Sequence, residues 1–308
     1  MSDAIVVLCP GQGAQAVGMG RAWADASDAA RAIFEQADAV LGDELGAPLS
    51  ALCFDGPPET LNRTDVSQPA IYVASVASWH GWGDHPPLAA TAGLSLGEYT
   101  ALHLAGAFSF EDGLRLVTLR GRAMQDAAEA APGGMLALIG ADEAAAQRVC
   151  DEARQGAVLV CANFNAPGQV VLSGDAEAIS RAQERASADG LRTAPLPVAG
   201  AFHSPLMEPA ADRLAEALAT TPVRAPGCPV SSNVTARPHE ADPDSIRRRL
   251  AEQLTNPVRW ADGCANLRAE PSLADAAWHE LAPGKSLAGM MRRIDRAVRI
   301  ATHDQPEG

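Results

Sequence analysis

Lysine is almost absent from this sequence, because Lys285 is the only one among 308 residues and arginine supplies the rest of the 24 positive charges. Acidic side chains number 38, so the formal net charge is −14 and the pI is about 4.9. Proteins that bind nucleic acids or anionic membranes usually have the opposite balance. We therefore expect neither a nucleic acid nor a membrane among the partners of this chain.

The sequence also lacks a paired cysteine motif, a long apolar run and a basic N-terminal leader. Its cysteines are scattered, at Cys9, Cys53, Cys150, Cys161, Cys228 and Cys264. This spacing favours buried thiols in a reducing compartment over a disulfide framework or a zinc site. No apolar run approaches the roughly 18 residues of a membrane-spanning helix, and "MSDAIVVLCPGQG" has no basic segment typical of a signal peptide. We expect a cytoplasmic protein without a bound metal.

Predicted strands and helices alternate along most of the chain, which is typical of an α/β protein. The predicted strands include 4–10, 86–93 and 228–234, and 276–284 is predicted as a strand and turn. The predicted helices include 27–42, 65–83, 98–108, 110–131, 204–220 and 244–255. Pro69 is expected in the first turn of its helix, where a missing N–H costs little.

The stretch from 131 to 199 follows a different order, β-α-β-β-α-β, which is the split-βαβ pattern of ferredoxin-like units. We therefore predict two parts. The first is a large α/β-hydrolase-like domain with a parallel-sheet core, formed by 1–130 and 200–308. The second is a small ferredoxin-like subdomain, 131–199, inserted into it.

One serine lies between two glycines, in Gly93-Leu94-Ser95-Leu96-Gly97. A G-x-S-x-G pentapeptide between a strand and a helix can hold a nucleophilic serine on a sharp turn. An apolar strand is predicted before it and a helix after it. The pattern alone leaves a catalytic serine and a structural turn equally open.

A serine nucleophile needs a base, and seven histidines are available. His203 lies in "VAGAFHSPLMEP", where a loop is about to become a helix, and this position favours it. His239 lies in the polar segment "TARPHEADPD", which predicts a solvated turn. Spacing alone does not decide among the seven.

Six blocks occur together and in order: "PGQGAQAVGMG" (10–20), "GLSLGEYTALHLAGAFSFEDGLRLVTLRGRAMQ" (93–125), "NFNAPGQVVLSG" (163–174), "FHSPLM" (202–207), "QLTNPVRW" (253–260) and "LAPGKSLAGM" (281–290). Together they resemble the malonyl-CoA:acyl-carrier-protein transacylases of type II fatty-acid synthesis. The resemblance runs from residue 4 to about 300. It implies a ping-pong transfer of a malonyl group from malonyl-CoA to acyl carrier protein.

The resemblance assigns the chemistry residue by residue. Ser95 matches the nucleophile, and His203 matches the base. Gln253 matches the residue whose backbone carbonyl orients that histidine, so no carboxylate is needed there. Gln12 and the backbone amide of Leu96 match the oxyanion-binding groups.

The resemblance also assigns residues to the substrate. Arg120 matches the arginine that holds the free carboxylate of malonate, which a guanidinium can bind through two parallel hydrogen bonds. Phe202 is the usual companion of a malonyl rather than a methylmalonyl substrate. Asn163 and Asn165 fall in a block that lines the cleft, although asparagines there also suit turns.

Two segments resemble nucleotide-binding motifs, but each lacks a required feature, so we expect no cofactor. "GQGAQA" (11–16) fits G-x-G-x-x-G/A loosely, but a helix is predicted where its second strand should follow. "PGKS" (283–286) ends like a P-loop, but His279 stands where the first glycine is required. The main departure from the resemblance is Leu94, since most relatives have histidine there.

The carrier protein is expected to be strongly acidic, so an acidic chain needs a local basic surface to bind it. The candidates are Arg192, Lys285, Arg292, Arg293 and Arg296. We expect the protein to act as a monomer. Three alternatives remain: a serine hydrolase with a triad acid between 96 and 202, a catalytically silent scaffold that binds acyl carriers, and the same chemistry serving polyketide or omega-3 synthesis.

Overall fold

The computed structural model describes residues 4–306, whose strands form two separate sheets. The strands are β1 (Ile5–Cys9), β2 (Leu88–Gly93), β3 (Gly133–Ile139), β4 (Leu159–Ala166), β5 (Gln169–Asp175), β6 (Arg192–Pro195), β7 (Val230–Ser231), β8 (Ala277–Leu281) and β9 (Ile300–His303). The helices are α1 (Arg21–Ala26), α2 (Asp28–Leu41), α3 (Leu49–Asp55), α4 (Pro58–Leu61), α5 (Thr64–Trp82), α6 (Gly97–Leu104), α7 (Phe110–Ala130), α8 (Glu143–Arg154), α9 (Ala176–Ala188), α10 (Glu208–Thr220), α11 (Pro243–Glu252), α12 (Trp260–Ala269) and α13 (Ser286–Ile294).

The larger sheet is parallel, in the order β7-β2-β1-β8-β9. Every residue of the central strand β1, Ile5–Cys9, is buried. Central parallel strands are covered on both faces, and for this reason the sequence of β1 is a continuous apolar run without alternation. Parallel strands bring their carboxyl ends to one edge, so the turns that follow β1 and β2 meet there.

Helices α5 and α7 pack closely against each other, and α5 also contacts β8 of this sheet. α5 is buried along most of its length, as expected for a helix with apolar and small residues on all sides. Gly121 on α7 allows the close approach, because a Cβ at this position would lie 2.6 Å from the carbonyl oxygen of Thr64. The side chain of Ser109 caps the first turn of α7 by accepting a hydrogen bond from the Asp112 amide.

The smaller sheet is antiparallel, in the order β4-β5-β3-β6. The element order over this part is the β-α-β-β-α-β order predicted from the sequence. Alternate residues of β3 face opposite sides. Met135 and Ala137 join the main core, whereas Leu136 and Leu138 pack in a second core with α8 and α9. The small sheet therefore has one face available to the rest of the molecule.

The predicted mixed α/β fold with a parallel core and a separate antiparallel sheet is confirmed. Some details differ from the prediction. Helix α5 begins at Thr64, so Pro69 lies in its second turn rather than its first. The strand expected over 228–234 is only Val230–Ser231, and β9 was not predicted. Between residues 4 and 306 no helix combines the length and apolar character needed to span a bilayer.

Candidate active site

The serine turn connects the end of β2 to the start of α6, at the carboxyl edge of the parallel sheet. Ser95 has a φ of +52°, which is a strained conformation for a side chain with a Cβ. The flanking glycines allow it. A Cβ on Gly93 would lie 1.8 Å from the backbone carbon of Gly97, and a Cβ on Gly97 would lie 2.1 Å from the carbonyl oxygen of Cys9. The pentapeptide is therefore a sharp strand-to-helix turn.

His203 lies directly beside Ser95 in space, although 108 residues separate them in sequence. The Oγ atom of Ser95 and the Nε2 atom of His203 are 2.8 Å apart. The Nδ1 atom of His203 is 2.8 Å from the backbone carbonyl oxygen of Gln253. A carbonyl can only accept, so Nδ1 carries the proton and Nε2 is left free to accept one.

The Gln253 carbonyl is available because of its place at the end of a helix. Gln253 is the residue that follows α11, and the last carbonyls of a helix have no partner within it. The partial negative charge of a helix carboxyl end also favours an N–H donor there. A backbone group thus does the orienting work that a carboxylate does in many serine enzymes.

Burial holds His203 in its neutral form. Its side chain is almost inaccessible, and the pKa of the imidazole is lowered to about 4. Loss of water is the main cause, the nearby positive charge of Arg120 adds to it, and the hydrogen bond to Gln253 opposes the shift. At neutral pH the imidazole can therefore accept a proton from Ser95.

Arg120 is the largest fully buried side chain, with 1% of its surface exposed. Its Nη1 donates to Gln68 Oε1 at 2.7 Å, and its Nη2 donates to Ser95 Oγ at 3.0 Å and to Gln253 Oε1 at 2.9 Å. All three acceptors are uncharged, and its Nε has no acceptor among residues 4–306. Burial lowers the pKa of the guanidinium. A buried cation without a contacting carboxylate favours an anionic ligand.

A cavity of about 240 Å³ opens beside Ser95 and His203, between the two sheets. Its lining includes Gln12, Leu94, Asn163, Asn165, Phe202 and Met290. The Oδ1 atom of Asn165 is buried and has no partner among residues 4–306. Nε2 of Gln12 donates to Thr64 Oγ1 at 3.4 Å. The cavity lining therefore includes six of the predicted site residues, Gln12, Ser95, Asn163, Asn165, Phe202 and His203, and Leu94 adds an apolar wall beside the serine. Arg120 and Gln253 lie behind this lining, where they contact Ser95 and His203 respectively.

The Leu96 amide lies at the N-terminal end of α6, where the first N–H groups have no partner within the helix. Within the described chain no acceptor takes its proton. Such an amide, next to the serine, is suited to a developing negative charge.

Sequence reasoning missed two polar residues beside the serine. Asn233 accepts a hydrogen bond from the Ser95 amide at 2.7 Å and donates to the Gly93 carbonyl at 2.7 Å. Glu98, on the first turn of α6, is fully buried. The only available signal was the position of Glu98, immediately after the G-x-S-x-G pentapeptide.

The expectation that His239 lies in a solvated turn is wrong. The imidazole is buried, and its Nε2 lies 2.6 Å from Glu98 Oε1. The polar residues around it suggested exposure, but the His239 amide donates to the Val230 carbonyl of β7, and this brings the imidazole against Glu98 on α6.

The predicted basic residues do not form one patch. Arg192 and Arg293 line a groove with Gln169 and Met290, which also line the catalytic cavity. Arg292 and Arg296 line a separate groove with Arg299, which was not among the candidates. Lys285 is exposed just before α13. Asp295, an acidic residue of this segment, pairs with Arg268 at 3.3 Å. Its charge therefore does not neutralise the arginines of the two grooves.

Comparisons with known proteins show the family of this chain. The model of the acyl transferase domain family matches residues 6–290. The malonyl CoA-acyl carrier protein transacylase of Salmonella typhimurium is 42% identical over 302 residues, which cover 96% of this chain and 94% of that protein. The structure of the Coxiella burnetii malonyl CoA-acyl carrier protein transacylase has a TM-score of 0.92 and 36% identity, covering 99% of this chain and 95% of that one.

A further solved structure contains a carrier protein. It is a complex between a type II PKS acyl-carrier protein and its malonyl-transacylase, with a TM-score of 0.91 and 38% identity. It covers 98% of this chain and 96% of that one.

The chain belongs to the acyl transferase family, and the protein is an acyltransferase. Within that family its full-length relatives are malonyl CoA-acyl carrier protein transacylases, and it is a member of this S-malonyltransferase group.

Proposed function

We propose that this protein transfers a malonyl group from malonyl-CoA to the phosphopantetheine thiol of an acyl carrier protein, through a malonyl ester on Ser95. The observation that carries the proposal is the Ser95–His203 pair, 2.8 Å apart, beside a buried arginine that contacts the same serine oxygen. Malonyl-CoA and the phosphopantetheine arm of the carrier protein would enter, one after the other, the cleft between the predicted hydrolase-like and ferredoxin-like parts.

In the first half-reaction the Oγ atom of Ser95 attacks the thioester carbonyl carbon while Nε2 of His203 takes its proton. The tetrahedral intermediate then collapses, the C–S bond breaks, and His203 gives the proton to the leaving CoA thiolate. In the second half-reaction the carrier thiol attacks the ester. His203 takes the thiol proton and returns it to Ser95 as the C–O bond breaks. The cycle needs no cofactor or metal.

The negatively charged oxygen of each tetrahedral intermediate is stabilised by hydrogen-bond donors. The unpartnered Leu96 amide and Gln12, at the cavity wall, are the groups proposed for this role. Removing one such donor typically costs about 10²–10³ in rate.

Arg120 is the residue that indicates a malonyl substrate. Malonyl differs from acetyl by one carboxylate, and Arg120 is a buried cation whose contacts are all neutral. Phe202, which lines the cavity, would crowd an α-methyl group. Asn163 and Asn165 are proposed to contact the amides of the pantetheine arm, since the Asn165 side-chain oxygen has no donor among residues 4–306.

Mass spectrometry tests the proposal directly. After brief incubation with malonyl-CoA, the protein should gain one malonyl mass, mapped to the peptide that contains Ser95. Addition of carrier protein should remove the adduct and place it on the carrier. Absence of the adduct would favour a scaffold, and release of free malonate at the same rate with or without carrier would favour a hydrolase. The hydrolase alternative is weakened because the Nδ1 atom of His203 contacts the Gln253 carbonyl instead of an acid.

The rate of Ser95 acylation should depend little on pH above about 6 and should fall in acid. A protonated imidazole cannot accept the serine proton, and the pKa of His203 is lowered to about 4. The pH profile of kcat/KM for malonyl-CoA should therefore have an acid limb centred near that value. An acid limb near the ordinary histidine pKa of about 6.5 would contradict the burial argument.

The carrier protein is proposed to dock at the groove that contains Arg192 and Arg293, because this groove adjoins the catalytic cavity. The double variant Arg192→Glu/Arg293→Glu should raise KM for carrier protein about tenfold at low salt and leave KM for malonyl-CoA unchanged. The double variant Arg115→Glu/Arg148→Glu, at exposed positions of α7 and α8, is the matched control with the same charge change. An unchanged carrier KM in the Arg192→Glu/Arg293→Glu variant would exclude this surface.

The biosynthetic pathway that this enzyme serves is either fatty-acid or polyketide synthesis. One solved relative is in complex with an acyl-carrier protein of a type II PKS, whereas the name of the Salmonella typhimurium relative specifies no pathway. We propose fatty-acid synthesis, in the cytoplasm and with a monomeric enzyme. Comparing transfer rates to fatty-acid and polyketide carrier proteins tests this assignment, and a faster transfer to a polyketide carrier would overturn it.

A further inference from the structure

A buried carboxylate and a buried imidazole form a pair behind the serine turn. Glu98 is fully buried, and its Oε1 lies 2.6 Å from the Nε2 atom of His239, whose side chain is 1% exposed. The other oxygen, Oε2, accepts from Gln253 Nε2 at 2.5 Å and from the Asn233 amide at 3.3 Å. Neither Glu98 nor His239 contacts the cavity. The proposed reaction gives this pair no direct chemical step, although burying it costs free energy.

The partners of Glu98 are the residues that hold the reacting groups. Gln253 accepts from His203 through its backbone carbonyl and from Arg120 through Oε1, and its Nε2 also donates to the Ser95 carbonyl at 3.0 Å. Asn233 holds the Ser95 amide. Glu98 is thus one hydrogen bond away from two residues that together contact Ser95, His203 and Arg120.

The carboxylate determines which way the Gln253 amide points. An amide can exchange its oxygen and nitrogen positions by a half-turn of the side chain, but an ionised carboxylate can only accept. Nε2 of Gln253 must therefore face Glu98, and Oε1 must face the Arg120 guanidinium, which can only donate. His239 supplies the donor to Oε1 of Glu98, so that this oxygen is not left unpaired in the interior.

We propose that Glu98 and His239 form a positioning pair that fixes the Gln253 amide in one orientation and thereby holds Arg120 in place for the carboxylate of the acyl substrate. The inference rests on the proposed malonyl transfer. It predicts that disturbing either residue changes the choice between malonyl and acetyl groups, because that choice depends on where the guanidinium lies.

The test compares rates of Ser95 acylation by malonyl-CoA and acetyl-CoA, each below its KM, by rapid quench and intact-protein mass spectrometry. Glu98→Gln keeps the side-chain shape, but its amide can meet Gln253 in either orientation. It should lower the malonyl-to-acetyl rate ratio about tenfold, in line with loss of a charge-assisted hydrogen bond. His239→Leu should lower the ratio by a similar factor. His239→Gln retains an N–H donor for Glu98 and should stay within about threefold of the wild type.

His303→Leu is the matched control, since it removes a buried imidazole that lies 2.9 Å from His279 on the parallel sheet, outside the cavity lining. It should lower Tm without changing the ratio. An unchanged ratio in folded Glu98→Gln and His239→Leu, with only a lower Tm, would overturn the positioning role. Glu98→Gln decides alone if His239→Leu does not fold. A wild type that forms no adduct on Ser95 would instead overturn the proposed function, and with it this inference.

Discussion

Replacing His203 with alanine should lower the rate of Ser95 acylation by about 10⁴, the upper end of what a general base contributes. The variant keeps the serine, the arginine and the cavity, but no group remains to take the Oγ proton at 2.8 Å. The measurement is the burst of CoA release in a single turnover with malonyl-CoA. Binding of malonyl-CoA, measured by calorimetry, should change little, because the imidazole acts on the serine oxygen.

The double variant Ser95→Ala/His203→Ala sharpens this prediction. Residues that act as one unit are strongly non-additive, so the double variant should transfer no more slowly than Ser95→Ala alone. A further loss in the double variant would show that His203 acts independently of Ser95. Near-normal acylation in His203→Ala would assign the base to another residue.

Replacing Arg120 with alanine should remove the preference for malonyl over acetyl groups. The guanidinium is buried, and its three hydrogen bonds go to neutral acceptors, one of which is the serine oxygen itself. Two hydrogen bonds from a guanidinium to a carboxylate are together worth about 3–6 kcal/mol, so the malonyl-to-acetyl ratio of kcat/KM should fall by about 10³. We expect the wild-type site to reject acetyl, because an acetyl group would leave a buried cation unpaired.

The ratio is the informative quantity, because Arg120→Ala also leaves a cavity and frees Gln253 and Ser95 from a donor. Both substrates experience these losses equally. Arg122→Ala, two residues further on the same helix but exposed, is the control and should leave the ratio unchanged. Malonyl preference that persists in Arg120→Ala would mean that another residue binds the carboxylate.

The sequence predicted those parts of the fold and site that depend on neighbours along the chain. The apolar run at β1, the glycines around Ser95 and the β-α-β-β-α-β order all arise from local preferences, and each is present in the structure. Short elements were predicted less well. β7 was expected over 228–234 but has only two residues, which are held by pairing with β2, and β9 was missed.

The site itself was assembled from the sequence only by resemblance to a family. From the residues alone, a catalytic role and a structural turn were equally open for Ser95, and His203 was one of seven histidines that could serve as its base. Their 2.8 Å contact depends on how β2, the loop after β6 and the end of α11 pack, and no local pattern encodes that distance. The same applies to Arg120, whose environment in the middle of α7 is set by α5 and Gln253.

By itself the sequence determined the fold class, the serine turn and, through its ordered motifs, the family of this protein. Only the tertiary structure decided that His239 is buried against Glu98, that Asn233 holds the serine amide, and that the basic residues divide between two grooves. The physical reason is that backbone preferences and motif spacing act over a few residues. Burial and charge pairing depend instead on segments that are distant along the chain and meet only when it folds.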